Sequence, residues 1–166
     1  MQPVLIIAYG NALRSDDGVA WHAAELLRQR FSSADVDILT VHQLVPELAE
    51  RASHAGHVIF IDAAAHGSPG EIFCAKIDQN STWAPASHRV TPDQIIALCR
   101  HAYGVAPKAT VVSIAGGCFN HGEKLSKDIQ AELPKFVGTV ASLVQQLIPC
   151  NSNNRNAIVC HSEAAN

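Results

Sequence analysis

Two adjacent acids, Asp16 and Asp17, stand in the stretch Gly10-Asn11-Ala12-Leu13-Arg14-Ser15-Asp16-Asp17-Gly18, and a third, Asp62, closes the apolar run His57-Val58-Ile59-Phe60-Ile61. A turn that only joins a strand to a helix is served by glycine, asparagine and one capping serine or aspartate, so the second acid of the pair is surplus to connection. Carboxylates gathered within a few ångströms repel one another, and a divalent cation is the natural way to hold them together. Asp17 and Asp62 with one imidazole make a mixed nitrogen and oxygen set. Such a set suits Zn, Ni, Mn or Fe better than Ca or Mg, which prefer shells of oxygen alone. His88 is the preferred third ligand, because Ser87-His88-Arg89 lies in a loop just before a capped helix and can reach over the crevice. His66, shortly after Asp62, and His121, in Asn120-His121-Gly122-Glu123, compete with it.

The plainer reading of the acidic pair is that both residues stabilise a helix N-terminus. A cap or dipole contribution is worth roughly 0.5–2 kcal/mol, and Asn caps about as well as Asp. On that reading an Asp→Asn change at either position leaves folding nearly untouched. A metal ligand, by contrast, needs the charge, and here Asp17 is taken as the ligand. The remaining chemistry-bearing residues have plainer roles. His54, His57, His101 and His161 read as helix-end or surface residues. The five cysteines form an odd number without CxxC spacing, so neither a disulfide framework nor a zinc ribbon is indicated. Cys118 beside Gly116-Gly117 reads as a packed thiol, and a metal role for Cys150, Cys160 and His161 has little to support it.

The elements that position these acids follow from apolar periodicity. Val4-Leu5-Ile6-Ile7-Ala8 is a continuous apolar run, the pattern of a strand buried on both faces in a parallel sheet. Val19, Ala23, Leu26 and Leu27 recur at helical spacing, and residues 36–41 alternate as a second strand. A short helix opens at Pro46 and ends near Gly56, after which residues 57–61 form a third strand ending in Asp62. The dense turn Gly67-Ser68-Pro69-Gly70 leads into a strand over 71–77, expected antiparallel to the third strand because only a turn separates them. Residues 78–88 read as an exposed loop. Thr91-Pro92-Asp93-Gln94 has capping-box spacing and starts a helix, residues 110–114 form the last strand, and Pro134 opens the final helix. Together these predict a single α/β domain over 1–149, a doubly wound, mostly parallel sheet with one antiparallel edge strand and helices on both faces, followed by a disordered tail over 150–166. In an order 2-1-3 the ligand crevice lies at the carboxyl ends of the first and third strands, where Asp17 and Asp62 fall.

Composition narrows the function classes. The 166 residues are 48% hydrophobic and 16% charged with a formal charge of −3, which suits a globular domain and not a polyanion binder. No apolar run approaches the roughly 18–20 residues of a membrane helix, so a cytoplasmic protein without nucleic-acid or membrane partners is expected. A phosphate loop is disfavoured, since neither GxGxxG nor GxxxxGK[ST] occurs and two acids oppose a phosphate. A receiver-like signalling domain phosphorylated on Asp62 is the alternative. Against it, a loop separates Tyr9 from the acidic pair, and no lysine-bearing turn follows Ser113-Ile114-Ala115.

Gly10-Asn11-x-Leu13-Arg14-x-Asp16-Asp17-Gly18-Val19, the strand ending in Asp62-Ala63, Ser87-His88, and Gly122-Glu123-x-Leu125-Ser126 together resemble the hydrogenase maturation endopeptidases, from about Pro3 to Ile148. The resemblance implies a five-stranded α/β sheet between helices. It implies removal of a C-terminal peptide from the large-subunit precursor of a nickel–iron hydrogenase once nickel is inserted. The family's metal-binding acids fall on Asp17 and Asp62 and its histidine on His88, the same three residues drawn from topology. These are therefore the candidate catalytic and metal-contacting residues. The implied metal is nickel or another divalent transition ion, which either comes within the substrate and marks it or activates a water in the manner of zinc. Ala20 stands where the family usually has glycine, and Ala8-Tyr9 replaces a more glycine-rich lead-in.

Overall fold

The computed structural model describes residues 2–82 and 89–148. Strand β1 (Gln2–Tyr9) lies inside the sheet because its apolar run fills both faces. It pairs in parallel with β2 (Val36–Val41) on one side and β3 (Ala55–Ala64) on the other. Beyond β3 comes β5 (Lys108–Ala115), again parallel, and β4 (Ile72–Lys76) closes the far edge antiparallel to β5. The order β2-β1-β3-β5-β4 is the mostly parallel five-stranded sheet with one antiparallel edge that the sequence predicts. The edge strand's partner differs from expectation, being β5 and not β3. Strand β3 is apolar on both faces and takes parallel neighbours on both sides, whereas β4, exposed from Cys74 to Lys76, fits only an edge.

Among the described residues four α-helices cover the sheet: α1 (Val19–Arg30), α2 (Leu48–Ser53), α3 (Pro92–Tyr103) and α4 (Lys127–Leu147). Strand alternation divides the core in two. Val4, Ile6, Ile59, Ile61, Val112 and Ile114 pack with α1 and α4, while Leu5, Ile7, Val58 and Phe60 pack with Ala49, Ala52, Ile95 and Ile96 of α2 and α3. The same alternation puts Tyr9, Asp62 and Ser113 on the second face, at the carboxyl ends of their strands.

Helix boundaries account for the other departures. Helix α2 is shorter than expected, since Ala55 and Gly56 already belong to β3. Helix α4 begins at Lys127, a full two turns before Pro134, which sits inside it. Burying Ile129 is worth about 1.5–3 kcal/mol, comparable to the roughly 3 kcal/mol an interior proline costs, and the Ser126 cap supplies the start in place of the proline. Thr91 and Gln94 form the expected capping box on α3, whose end is Gly104 in the left-handed region at φ 69°. The Arg100 guanidinium donates to the carbonyls of Gln79, Asn80 and Ser81, so the start of the expected loop is tied to α3. The rest of that loop, Trp83 to His88, and the expected tail from 150 lie outside the described residues, as does any role for Cys150, Cys160 and His161.

His57, at the amino end of β3, sits 3.0 Å from Thr110 Oγ1 through Nε2, and its buried Nδ1 has no hydrogen-bond partner among the described residues. Burial lowers its pKa, and Lys108 and Lys76 push the same way. The unfolded chain takes up this proton near the ordinary value of about 6.5. Stability from the neutral ring is therefore present above about pH 6.5 and lost as pH falls below it, where the unfolded state binds more protons. Thermal midpoints measured from pH 7.5 down to 5 should fall, and His57→Gln, which does not titrate, should flatten that slope.

Candidate functional site

The acidic loop leaves β1 through Gly10, whose φ of 145° suits glycine. A Cβ there would come within 2.1 Å of the Asp17 carbonyl oxygen. The Gly10 carbonyl accepts from Trp21 Nε1 at 3.0 Å, which ties the loop's start to α1. Ser15 adopts a left-handed φ of 49°, held by Ser15 N–H donating to the Gly122 carbonyl and Ser15 Oγ donating to the Asn120 carbonyl. Residues 15–18 then form a 3₁₀ turn before α1.

The two acids of this turn have different fates. Asp16 is fully buried and accepts four hydrogen bonds. They come from the N–H groups of Gly117, Cys118 and Ser126 at 2.9, 2.8 and 2.7 Å and from Ser126 Oγ at 2.8 Å. Asp16 is thus no helix cap, as the plainer sequence reading supposed, because its donors lie over a hundred residues away in the β5–α4 connection. Asp17 is only half-buried and accepts from Asn11 N–H at 3.0 Å. It is the acid of the pair not committed to the β5–α4 connection.

Asp62 stands across the β1/β3 crevice. Its Oδ2 accepts from the Tyr9 hydroxyl at 2.7 Å and its Oδ1 from the Ser113 hydroxyl. Burial raises the Asp62 pKa above the usual carboxylate range. The Ser113 and Tyr9 bonds oppose that, the charge of Asp17 adds to it, and His66 counters it. Burial and the neighbouring Asp62 charge likewise hold the Tyr9 phenol far above its ordinary value, so it is present as a donor. Asp17 and His66 are thus near enough to act electrostatically on Asp62. His66 is exposed and stands 5.1 Å from the Phe73 ring, and His121 is exposed in the loop that docks the acidic turn. His88 lies outside the described residues. Among the described residues no group of three His, Cys, Asp or Glu could hold a metal ion. Sequence reasoning missed Tyr9 and Ser113, whose proximity to Asp62 comes from strand register, and the anchoring of Asp16 by Ser126.

Among solved structures, the chain is similar to the hydrogenase maturating endopeptidase HybD from E. coli. The TM-score is 0.72 at 22% identity, with 88% of this chain and 93% of that one covered. The NiFe hydrogenase maturation protease HycI from Thermococcus kodakarensis KOD1 gives a TM-score of 0.69 at 20% identity, covering 86% and 92%. The NiFe hydrogenase maturation protease HybD from Thermococcus kodakarensis gives 0.65 at 22%, covering 87% and 99%. At these identities the likeness establishes a shared fold. No family model and no curated protein matches the sequence.

Three aspartate-to-asparagine changes separate these roles. At Asp16 an amide group must face donors, and hydrogen bonds to a charged group are worth about 1.5–3 kcal/mol each. Asp16→Asn should therefore lower the thermal midpoint by roughly 4–12 °C. Asp17→Asn should leave it nearly unmoved. Asp62→Asn should raise it at neutral pH. The raised folded pKa of Asp62 means its favourable, protonated form is lost as pH rises, and the neutral amide removes the cost of the buried charge. Melting curves at pH 7 test all three.

Proposed function

We propose that this chain is an endopeptidase that removes the C-terminal extension of a nickel–iron hydrogenase large-subunit precursor after nickel insertion. The observation that carries the reading is the meeting of Asp17 and Asp62. Asp17 comes from the connection after β1 and Asp62 from the carboxyl end of β3 itself, in a fold similar to that of solved maturation endopeptidases. The donor set fits a divalent transition ion. The charge of Asp17 adds to the cost of ionising Asp62, a cation between the two would relieve it, and each carboxylate retains lone pairs after its present hydrogen bonds. In this reading the nickel belongs to the substrate, Asp17 and Asp62 contact it, and His88 is the proposed imidazole partner. Nickel bound there neutralises the pair and fixes the adjacent polypeptide against the enzyme. The partner is the precursor, and the proposed setting is the cytoplasm; among the described residues no helix is long and apolar enough to cross a membrane.

The receiver-like alternative loses ground on topology. A receiver has strand order 2-1-3-4-5, whereas here the last parallel strand is internal and an antiparallel strand takes the edge.

Incubating the protein with nickel-loaded and nickel-free precursor, followed by intact-mass measurement, tests the proposal. Loss of a C-terminal peptide from the loaded form alone is expected. Equal cleavage of both forms, or of unrelated peptides, makes this a general peptidase. Phosphorylation of Asp62 by small phosphodonors without proteolysis restores the receiver reading. Asp17→Asn and Asp62→Asn should each abolish processing, and His88→Ala should impair it more than His66→Ala or His121→Ala.

A further inference from the structure

Tyr9, Asp62 and Ser113 stand in one row across three strands. Asp62 pairs with Ser113 in the β3/β5 register, and Tyr9 comes level with Asp62 one step beyond the Ala8–Ile61 pair. Adjacent strands lie about 4.8 Å apart, and the side chains of one row share a face. A serine hydroxyl therefore reaches Asp62 from one flank and a phenol from the other.

The two hydroxyls divide the carboxylate between them, since Ser113 donates to Oδ1 and Tyr9 donates to Oδ2. The terminal torsion of an aspartate is broad and nearly two-fold. One donor leaves the group free to swing about that torsion, whereas donors on both oxygens from opposite sides fix its plane. Each oxygen has two lone pairs, so one remains on each for a further partner. This differs from Asp16, whose donors are three main-chain N–H groups and one hydroxyl joining two loops. Holding the loops together explains Asp16. The strand positions of Tyr9 and Ser113 would be filled as well by Phe and Ala, so the two hydroxyls are there for Asp62.

We propose that Tyr9 and Ser113 are positioning residues that fix the Asp62 carboxylate in the orientation that meets a divalent metal centre beside Asp17. The inference rests on the reading of Asp62 as a metal-contacting acid. Among the described residues the Tyr9 and Ser113 hydroxyls hydrogen-bond only to Asp62, and they act through it. Removal of hydrogen bonds behind metal-contacting groups typically costs 10–100-fold in metal affinity or activity.

The test uses the full chain with Tyr9→Phe, Ser113→Ala and the double change. Each is titrated with Ni²⁺ alone by calorimetry, melted in parallel, and assayed for KM and kcat on nickel-loaded precursor. Each single change should weaken Ni²⁺ binding about tenfold and the double change about a hundredfold, with the fold retained by near-ultraviolet circular dichroism. KM for the loaded precursor should rise with the same ranking. Ser113→Thr, which restores the hydroxyl, should regain the affinity. Wild-type affinity in the variants overturns the proposal, as does a wild-type chain that takes up no Ni²⁺, or an affinity loss that Ser113→Thr does not recover. Weakened Ni²⁺ binding with no cleavage of any precursor removes the proteolytic reading and leaves the positioning role standing.

Discussion

The site depends on one buried carboxylate that takes no part in the proposed chemistry. Asp16 joins the connection after β1 to the connection after β5, two segments far apart in sequence that meet outside the sheet through a short bridge between Arg14 and Gly122. A fully buried carboxylate is costly unless its lone pairs are filled. Four donors at 2.7–2.9 Å fill them here. Ser126 is both a donor to Asp16 and the N-cap of α4, accepting from Ile129 N–H, so the clasp also sets where the last helix begins. That explains why α4 runs through Pro134: its start is fixed from outside the helix.

With Asp16 committed, the position of Asp17 follows. Neighbouring residues of a tight turn point different ways, so sinking Asp16 into the β5–α4 connection leaves Asp17 toward the crevice, steadied by Asn11 N–H. Gly10 allows the close return of the chain that this needs, and the left-handed Ser15 is held by its two hydrogen bonds to the Asn120 and Gly122 carbonyls. The pair thus serves two purposes through one geometry.

Much of this was legible in the sequence. Five strands, the antiparallel edge and the convergence of Asp17 and Asp62 follow from apolar periodicity and from the rule for ligand position in doubly wound sheets. What escaped depended on distance in sequence. The partner of β4 is decided by which strands are apolar on both faces, a comparison between elements. The phenol of Tyr9 lies next to Asp62 only because β1 and β3 pair in one register and not its neighbour, and single-sequence patterns leave that register open. The Ser126 cap was visible as part of a motif, yet proline's preference for first turns favoured a later start for α4.

Asp16 and Asp62 show two ways of keeping a carboxylate out of water. Asp16 is matched mainly by main-chain N–H groups, which cannot rotate away, and the result is rigidity between loops. Asp62 is matched by two side-chain hydroxyls, which hold its plane but cannot offset its burial, and its pKa stays raised. A second acid nearby makes the imbalance worse. A fold selected for stability alone would have replaced such a residue or given it a permanent cation. Under the proposed function, the cost of the Asp62 charge at the carboxyl edge of β1 and β3 would be relieved when a positive centre arrives with the substrate, so that the carboxylate contributes to binding and not to stability.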